Sequence, residues 1–431
     1  MEERNQHINT GDYMVGLDIG TTKISVMIGR KNQYGKLEIL GTGRAVSNGV
    51  ARGIVANIDK TVDSIKEAIT EAKKKSGIEI DEVFVGIAGQ HIKSLQHRGE
   101  LVRDNIEIEK ADIDKLKSNM FKLITIPGEE VIHVIPQEYT VDGEDGIQDP
   151  KGMAGVKLEA NFHVITAQVG AVRNIIRCVE KAGLRPKELV LEPFASAVAT
   201  LDEDELREGV ALVDIGGGTT DVAIFLDNII RHTAVIPFGG NVITKDIKTG
   251  LSILEKQAEL LKIKFGSAMY TVDQENVMVS IPGLRGREPK EIAVKNLSEI
   301  IGSRYKEIID LVYHQIKVSG YENKLMTGIV ITGGGAQIRN LKQLVAFVTG
   351  KETRIGYPNE HLGSESKDTV VSPMYATGVG LVLKGFEHAE YTNAPKKVAV
   401  PVIKEAVDVE QSIEPTLMDR ISGWFTEENI D

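Results

Sequence analysis

The chain has 431 residues, 42% hydrophobic but only 5% aromatic, and its 62 acidic and 51 basic side chains give a formal net charge of −11 at pH 7. That balance argues against nucleic acid as the main partner, because gripping a phosphate backbone needs a basic face. Length predicts about three domain-sized units, and the single cysteine, Cys178, excludes an intrachain disulfide or a cysteine metal cluster.

The opening MEERNQHINTGDY is polar and lacks the apolar core of a signal peptide, and no later stretch reaches the roughly 18 apolar residues of a spanning helix. The sequence therefore predicts a cytoplasmic protein whose membrane contact is peripheral. Residues 13–29, YMVGLDIGTTKISVMIG, read as strand, tight glycine turn, strand, and the pattern returns at 209–225 as GVALVDIGGGTTDVAIF. An internal repeat of this kind predicts two related domains, each opening with the same hairpin, whose turn needs the backbone freedom of glycine.

Between the hairpins, NIDKTVDSIKEAITEAKKKSG carries Ile58, Val62, Ile65 and Ile69 at helical spacing and is followed by the strand EVFVGIAG. From about Gln90 to Asn161 short β patterns and turn signals such as DGEDGIQDPKG predict an inserted subdomain. Residues 162–201 resume the strand and helix alternation of an α/β unit, with Cys178 on a buried helix face. After the second hairpin come a helix-rich stretch, a short β stretch and the long amphipathic helix LSEIIGSRYKEIIDLVYHQIK. The compact part is expected to end near Gly385, with a charged, proline-punctuated linker beyond it.

An Asp-Ile-Gly turn followed by small hydroxyl residues turns several backbone N–H groups toward one side, which makes a phosphate cradle. Gly20, Thr21, Thr22 and Lys23 would supply the first, and Gly216, Gly217, Gly218, Thr219 and Thr220 the second. Asp18, Asp214 and Asp221 at the strand ends would hold Mg²⁺ through water, since that ion dehydrates reluctantly. A third glycine site, Gly333, Gly334 and Gly335, follows an apolar strand and predicts a nucleotide lying against bare backbone at a helix start. It is neither a Walker A loop nor a GxGxxG fingerprint.

These three sites, in this order, resemble the actin-like ATPase superfamily, and GIAGQHIKSLQHRGE, VIPQEYTVDGEDGIQDPKGMAGVKLEANFHVITA, LEPFASAVATL, VIPFGGNVITKDI and SPMYATGVGLVL resemble segments of its FtsA family. The resemblance implies an α/β fold: an actin-like two-domain ATPase with duplicated ribonuclease-H-like cores, an inserted small subdomain and a flexible C-terminal tail. On that pattern residues 13–89 and 163–201 form the first domain around an insert at 90–162, and 372–385 return to it. Residues 209–240 and 301–371 form the second core, 241–300 its upper subdomain, 386–415 a linker and 416–431 an amphipathic helix.

The same resemblance implies ATP and Mg²⁺ as cofactors, Glu192 near the attacking water, and Glu259 with Lys262 at the adenosine. It also implies a scaffold that polymerises, recruits later division proteins and ties FtsZ filaments to the inner face of the cell membrane, with any ATPase activity weak. Arg304, Tyr305 and Glu307 would meet the FtsZ tail. In the tail Leu417, Met418, Ile421, Trp424 and Phe425 share one helical stripe suited to a lipid surface, although Arg420 is the only basic residue among acidic neighbours. Other members of the superfamily fit less well. A DnaK-type chaperone needs a substrate domain for which the stretch after Leu383 has no room, a sugar kinase needs a polar sugar pocket, and the insert distinguishes the chain from an MreB-like shape filament.

Overall fold

A computed structural model describes residues 13–104, 107–123, 126–272, 275–283, 288–366 and 370–393. Two five-stranded sheets carry the architecture. The first contains β1 (Met14–Ile19), β2 (Lys23–Lys31), β3 (Leu37–Val46), β6 (Glu82–Ile87) and β11 (Arg185–Leu191), in the order β11-β6-β1-β2-β3. The second contains β12 (Val210–Ile215), β13 (Thr220–Leu226), β14 (Ile229–Ile236), β17 (Ile329–Thr332) and β18 (Thr353–Ile355), in the order β18-β17-β12-β13-β14. The two orders superimpose strand for strand, with an antiparallel hairpin beside parallel neighbours in each. The repeat seen in the sequence is thus a repeat of topology, and each sheet buries its own aliphatic cluster.

Around the first sheet lie the short pair β4 (Val50–Ala51) and β5 (Ile54–Val55), then α1 (Ile58–Ser76) and, after the insert, α3 (Val169–Lys181). α1 starts where the Asn57 side chain accepts the Lys60 N–H and ends at Gly77 in the left-handed conformation, so both ends are capped locally. Val62, Ile65, Ala68, Ile69 and Ala72 form its buried stripe, and Cys178 packs fully buried in the same core. Gly43 lets this helix lie on the sheet, because a Cβ there would stand 1.8 Å from the Ala68 carbonyl oxygen.

The insert is a four-stranded sheet, β7-β10-β8-β9, built from β7 (Ile92–Val102), β8 (Glu129–Val141), β9 (Glu144–Ile147) and β10 (Lys157–Gln168). It also holds α2 (Lys110–Leu123), which the β-rich reading of this segment did not anticipate; Leu116 and Met120, with Ile108 just before the helix, pack in the core of the insert. His163 of β10 joins the insert to β14: its ring meets Ser94, Gln96 and Thr233 hydroxyl or amide groups at 3.1–3.4 Å. Gln137 of β8 adds a 2.7 Å hydrogen bond to the Ile230 carbonyl.

His163 is 1% exposed, and burial, followed by the charge of His232, pushes its pKa from 6.5 to about 4. Between those values the unfolded chain holds a proton that the folded chain refuses, so stability must fall as pH drops from about 6.5 to about 4 and then level off. The loss attributable to His163 is at most about 3 kcal/mol. Urea unfolding between pH 7 and 4.5 is expected to show a steeper decline for the wild type than for a His163→Gln variant; parallel curves would remove His163 from the acid response.

In the second half, α6 (Gly240–Leu251), α7 (Glu255–Phe265), the ribbon β15 (Met278–Ile281) with β16 (Lys290–Ala293), α8 (Val294–Val318) and α9 (Leu341–Thr349) pack on one another and on the sheet. α4 (Glu192–Thr200), α5 (Glu203–Glu208) and α10 (Ala376–Asn393) complete the body, which runs to Glu390. α4 and α10 cross at glycine: a Cβ on Gly380 would come within 1.8 Å of the Ala195 carbonyl oxygen. That crossing brings the polar ends of both helices to the same place, beside the two hairpin turns. No described helix is long and apolar enough to cross a membrane. The expected linker and the stripe from Leu417 to Phe425 lie outside the described residues.

Candidate functional site

Strand pairing fixes the first elements of the site. Asp18 faces Ser25 across the first hairpin and Asp214 faces Asp221 across the second, so Asp18 and Asp214 stand two residues before the first glycine of their turns and Asp221 follows the second turn. The turns then meet tip to tip. A Cβ on Gly217 would lie 1.7 Å from Thr22 Oγ1, and one on Gly218 would lie 2.5 Å from Thr21 Oγ1. Glycine is required here by close approach and not, as the sequence suggested, by backbone freedom, since none of the turn glycines has a positive φ. The second turn is further tied to the start of α6, where Gly240 and Asn241 donate N–H groups to the carbonyls of Gly216 and Gly217 at 3.0 and 2.8 Å.

Around this contact lies a cavity of about 530 Å³. Its walls bring together Asp18, Gly20, Thr21, Thr22, Lys23, Glu192, Asp214, Gly216, Gly217, Gly218, Thr219, Asp221, Glu259, Lys262, Gly333, Gly334 and Gly335. Nearly the whole set expected from sequence thus converges on one space. Thr220 does not. It is fully buried, and its hydroxyl donates to the Phe238 carbonyl at 2.8 Å, because strand alternation turns it away from the cavity that Thr219 and Asp221 line.

The cavity has two chemically different ends. At one, Glu192 at the first position of α4 joins Asp18, Asp214 and Asp221. Burial lifts the pKa of all four carboxyls, well above the usual range for Glu192 and to about 7 for Asp221, and repulsion from neighbouring carboxylates adds to the effect at Glu192, Asp214 and Asp221. Hydroxyls offset part of it: Ser196 of α4 donates to Asp214 Oδ2 at 2.7 Å and Thr377 of α10 at 3.4 Å, while Ser25 donates to Asp18 at 3.3 Å. Lys23 is the cation among them, donating to the Met374 carbonyl and lying 5.1 Å from the Tyr375 ring centre; burial lowers its pKa. Asp221 Oδ1 is buried without a hydrogen-bond partner, whereas Oδ2 accepts from Thr219. Among the described residues no three acidic, histidine or cysteine side chains converge as direct metal ligands.

At the other end the wall is mixed. Lys262 of α7 is buried, donating to the Gly240 carbonyl at 3.0 Å and the Thr244 hydroxyl at 2.8 Å, and pairs with Glu259 at 2.7 Å. Ile263 and Ile338 supply apolar surface beside them. Gly333 begins the facing wall at φ +87°, and a four-residue 3₁₀ turn, Gly334–Gln337, follows it. This corrects the expected helix start: α9 begins only at Leu341, after extended Ile338 and left-handed Asn340, so its N-terminus is not presented at the glycines. What the cavity meets there is bare backbone.

Tyr305 stands elsewhere than expected. It is fully buried on α8, lines the cavity, and donates its hydroxyl to the Gly335 carbonyl at 2.8 Å. A buried phenol cannot meet a partner at the surface; it braces the third glycine loop. Arg304 beside it is also engaged, gripping the Asp246 carboxylate of α6 with hydrogen bonds of 2.6 and 3.1 Å and pairing with Glu307 at 2.5 Å. Arg44, Thr377, Asn241 and Gln337 line the cavity without having been foreseen.

Comparison with known proteins identifies the setting. The chain is 40% identical over 381 residues to the cell division protein FtsA of Pseudomonas aeruginosa, covering 88% of this chain and 91% of that one. The chain belongs to the FtsA family. The FtsA of Borreliella burgdorferi is 35% identical over 421 residues, covering 97% of this chain and 99% of its own length. The model of cell division protein FtsA matches residues 211–380, and that of the SHS2 domain inserted in FtsA matches 89–166, which is the four-stranded insert with α2. Among solved structures, the PilM-PilN type IV pilus biogenesis complex aligns with a TM-score of 0.63 at 16% identity, covering 86% of this chain and 98% of that one. MreB5 of Spiroplasma citri bound to ADP aligns at 0.51 and 16% identity, covering 89% and 98%. The FtsA fold of this chain is therefore the actin-like one, with the family's own insert.

Proposed function

We propose that this member of the FtsA family binds one ATP with Mg²⁺ in the cavity and, in that state, assembles as an actin-like scaffold that ties FtsZ filaments to the inner face of the cell membrane. The decisive observation is the convergence of both hairpin turns, the third glycine loop and the Glu259–Lys262 pair on one cavity in a chain of this family. Backbone amides at two glycine turns suit phosphates, and the mixed wall of Ile263, Ile338 and bare glycine backbone suits a flat base with polar edges. MreB5, an actin-like neighbour, has been solved with ADP and with AMPPNP.

For the metal, the chain's own chemistry is favourable. A buried, partnerless Asp221 Oδ1 and a cluster of carboxyls whose pKa values are raised by burial and repulsion both gain from a nearby divalent cation. With no three of these groups converging directly, Asp18, Asp214 and Asp221 would hold Mg²⁺ through its water shell, where it supplies charge neutralisation for the phosphates. Glu192, at the phosphate end, would orient a water, and Ser196 and Thr377 hydrogen-bond Asp214.

FtsZ binding is assigned to the α8 face around Arg304 and Glu307, without Tyr305. Arg304 would have to exchange Asp246 for the acidic tail of FtsZ, an exchange between two charge-assisted bonds. The membrane is assigned to the stripe of Leu417, Met418, Ile421, Trp424 and Phe425. With a single arginine against four acidic residues, insertion rests on apolar burial, so one tail binds reversibly and attachment is strengthened by many tails on one polymer. Flotation of the full chain with anionic vesicles, ATP and FtsZ is expected to carry FtsZ to the lipid fraction. A Trp424→Glu variant should leave both proteins behind; equal flotation of the two would remove the tail as the anchor.

A further inference from the structure

The cleft-facing side of the first sheet continues one strand beyond the residues already considered. Asp18 of β1 pairs with Ser25 of β2, and Ser25 pairs with Arg44 of β3, so the three form a row across the sheet on one face. That face is the one turned toward the cavity: the Ser25 hydroxyl reaches the Asp18 carboxylate, and the neighbouring Gly16 packs against Leu381 of α10. The opposite face of β3, through Gly41 and Gly43, lies against α1. Lys23, two residues before Ser25, is the diagonal neighbour of Arg44 on the same face, typically about 7–8 Å away. The charge of Arg44 is felt there, helping to lower the pKa of Lys23.

Arg44 lines the cavity yet is exposed, so the cavity reaches solvent beside it. Among the described residues no carboxylate lies within ion-pair distance of its guanidinium. Glu71, which senses its charge, accepts the Arg44 main-chain N–H at 2.7 Å and pairs with Lys75 at 2.6 Å. The other two cations of the cavity are engaged, Lys23 on the Met374 carbonyl and Lys262 on Glu259. The wall that the first sheet contributes to the cavity therefore carries, beside Lys23, a guanidinium whose donors have no partner among the described residues.

We propose that Arg44 binds the terminal phosphate of the nucleotide at this open rim and sets the preference of the site for a triphosphate over a diphosphate. The inference rests on the nucleotide reading above, in which the base takes the Lys262 end and the phosphates run past the two turns. The outermost phosphate is then the one nearest Lys23 and Arg44, and a diphosphate stops short of the rim. Guanidinium donors match phosphate oxygens in pairs, an arrangement lysine cannot reproduce.

The test is calorimetric titration of the full chain with ATP and with ADP, each with MgCl₂, for the wild type, Arg44→Ala and Arg44→Lys. Removing a charge-assisted pair of bonds should weaken ATP about tenfold or more, while ADP changes by less than about twofold, and lysine should recover only part of the difference. Arg44 is exposed and outside the core, so the variants should fold. A wild type that binds nucleotide but keeps its ATP to ADP ratio in Arg44→Ala overturns this inference and leaves the nucleotide reading standing. A wild type that binds neither nucleotide overturns both.

Discussion

Gly334→Asp is expected to fold like the wild type and to lose nucleotide. Nothing lies within 4 Å of a Cβ built at Gly334, its φ is not in the left-handed region, and the residue is exposed on the cavity wall, so the fold has room for a side chain there. A nucleotide bound as proposed would leave none. On the proposed reading a carboxylate at this point would occupy the base or ribose position and face the phosphates, and like charges about 8 Å apart repel by about 2 kcal/mol at an effective dielectric of 20. Together with the lost space this predicts a loss of at least about a hundredfold in affinity, where each tenfold is about 1.4 kcal/mol. Gly334→Asn, equal in size but neutral, should lose less and so separates bulk from charge. The neighbouring glycine is no substitute: a Cβ on Gly333 would stand 2.3 Å from Asp214 Oδ1 on a backbone with φ +87°, and the variant would disturb the sheet itself. Unchanged ATP affinity in a well-folded Gly334→Asp chain would move the nucleotide out of this cavity.

Most of the cavity was legible because its residues cluster in sequence at turns. A strand ending in Asp-Ile-Gly places a carboxylate and a bare turn at the same spot wherever the strand lies, so two such turns in homologous sheets must face one another when the sheets do. Arg44 carries no such mark. It reaches the site through two lateral strand pairings, Asp18 with Ser25 and Ser25 with Arg44, and lateral register is a long-range property that a single sequence states poorly. Thr377 enters in the same way, through a helix crossing set by Gly380 against Ala195.

Two departures had local signals. Along α8 the buried residues Ile301, Tyr305, Ile308 and Val312 follow steps of four, three and four, so Tyr305 belongs to the inward stripe and Arg304 to its edge. In α2, Ile113, Leu116 and Met120 stand at steps of three and four beneath a segment whose turn-rich flanks read as β. The start of α9 is different in kind: Gly333 takes a left-handed φ that any L side chain would strain, and the chain needs a 3₁₀ turn before it can begin a helix.

Because the hairpin tips touch, a single methyl group at Gly217 should act as a wedge between the two halves of the cavity. An added Cβ would stand 1.7 Å from Thr22 Oγ1 and 3.0 Å from Thr22 Cβ, so rotating the threonine relieves the first contact but not the second. Ordinary separation is about 3.5–4.0 Å, and the turns must therefore part by roughly half an ångström to two ångströms. The core of neither half is involved: Thr22 is exposed and Gly217 half-exposed. Thermal unfolding of Gly217→Ala should accordingly stay close to that of the wild type. Nucleotide affinity should not, because phosphates gripped by amides on both turns need those turns within about 0.5 Å of their proper places, and a displacement of about 1 Å can cost a hundredfold. The diagnostic result is rescue. Thr22→Gly removes both atoms that the new methyl meets, so the double variant Thr22→Gly, Gly217→Ala should regain most of the ATP affinity that Gly217→Ala loses, although it lacks one more side chain at the site. If Gly217→Ala binds ATP like the wild type, or if the double variant binds no better than the single one, contact between the tips does not govern the spacing of the phosphate cradle.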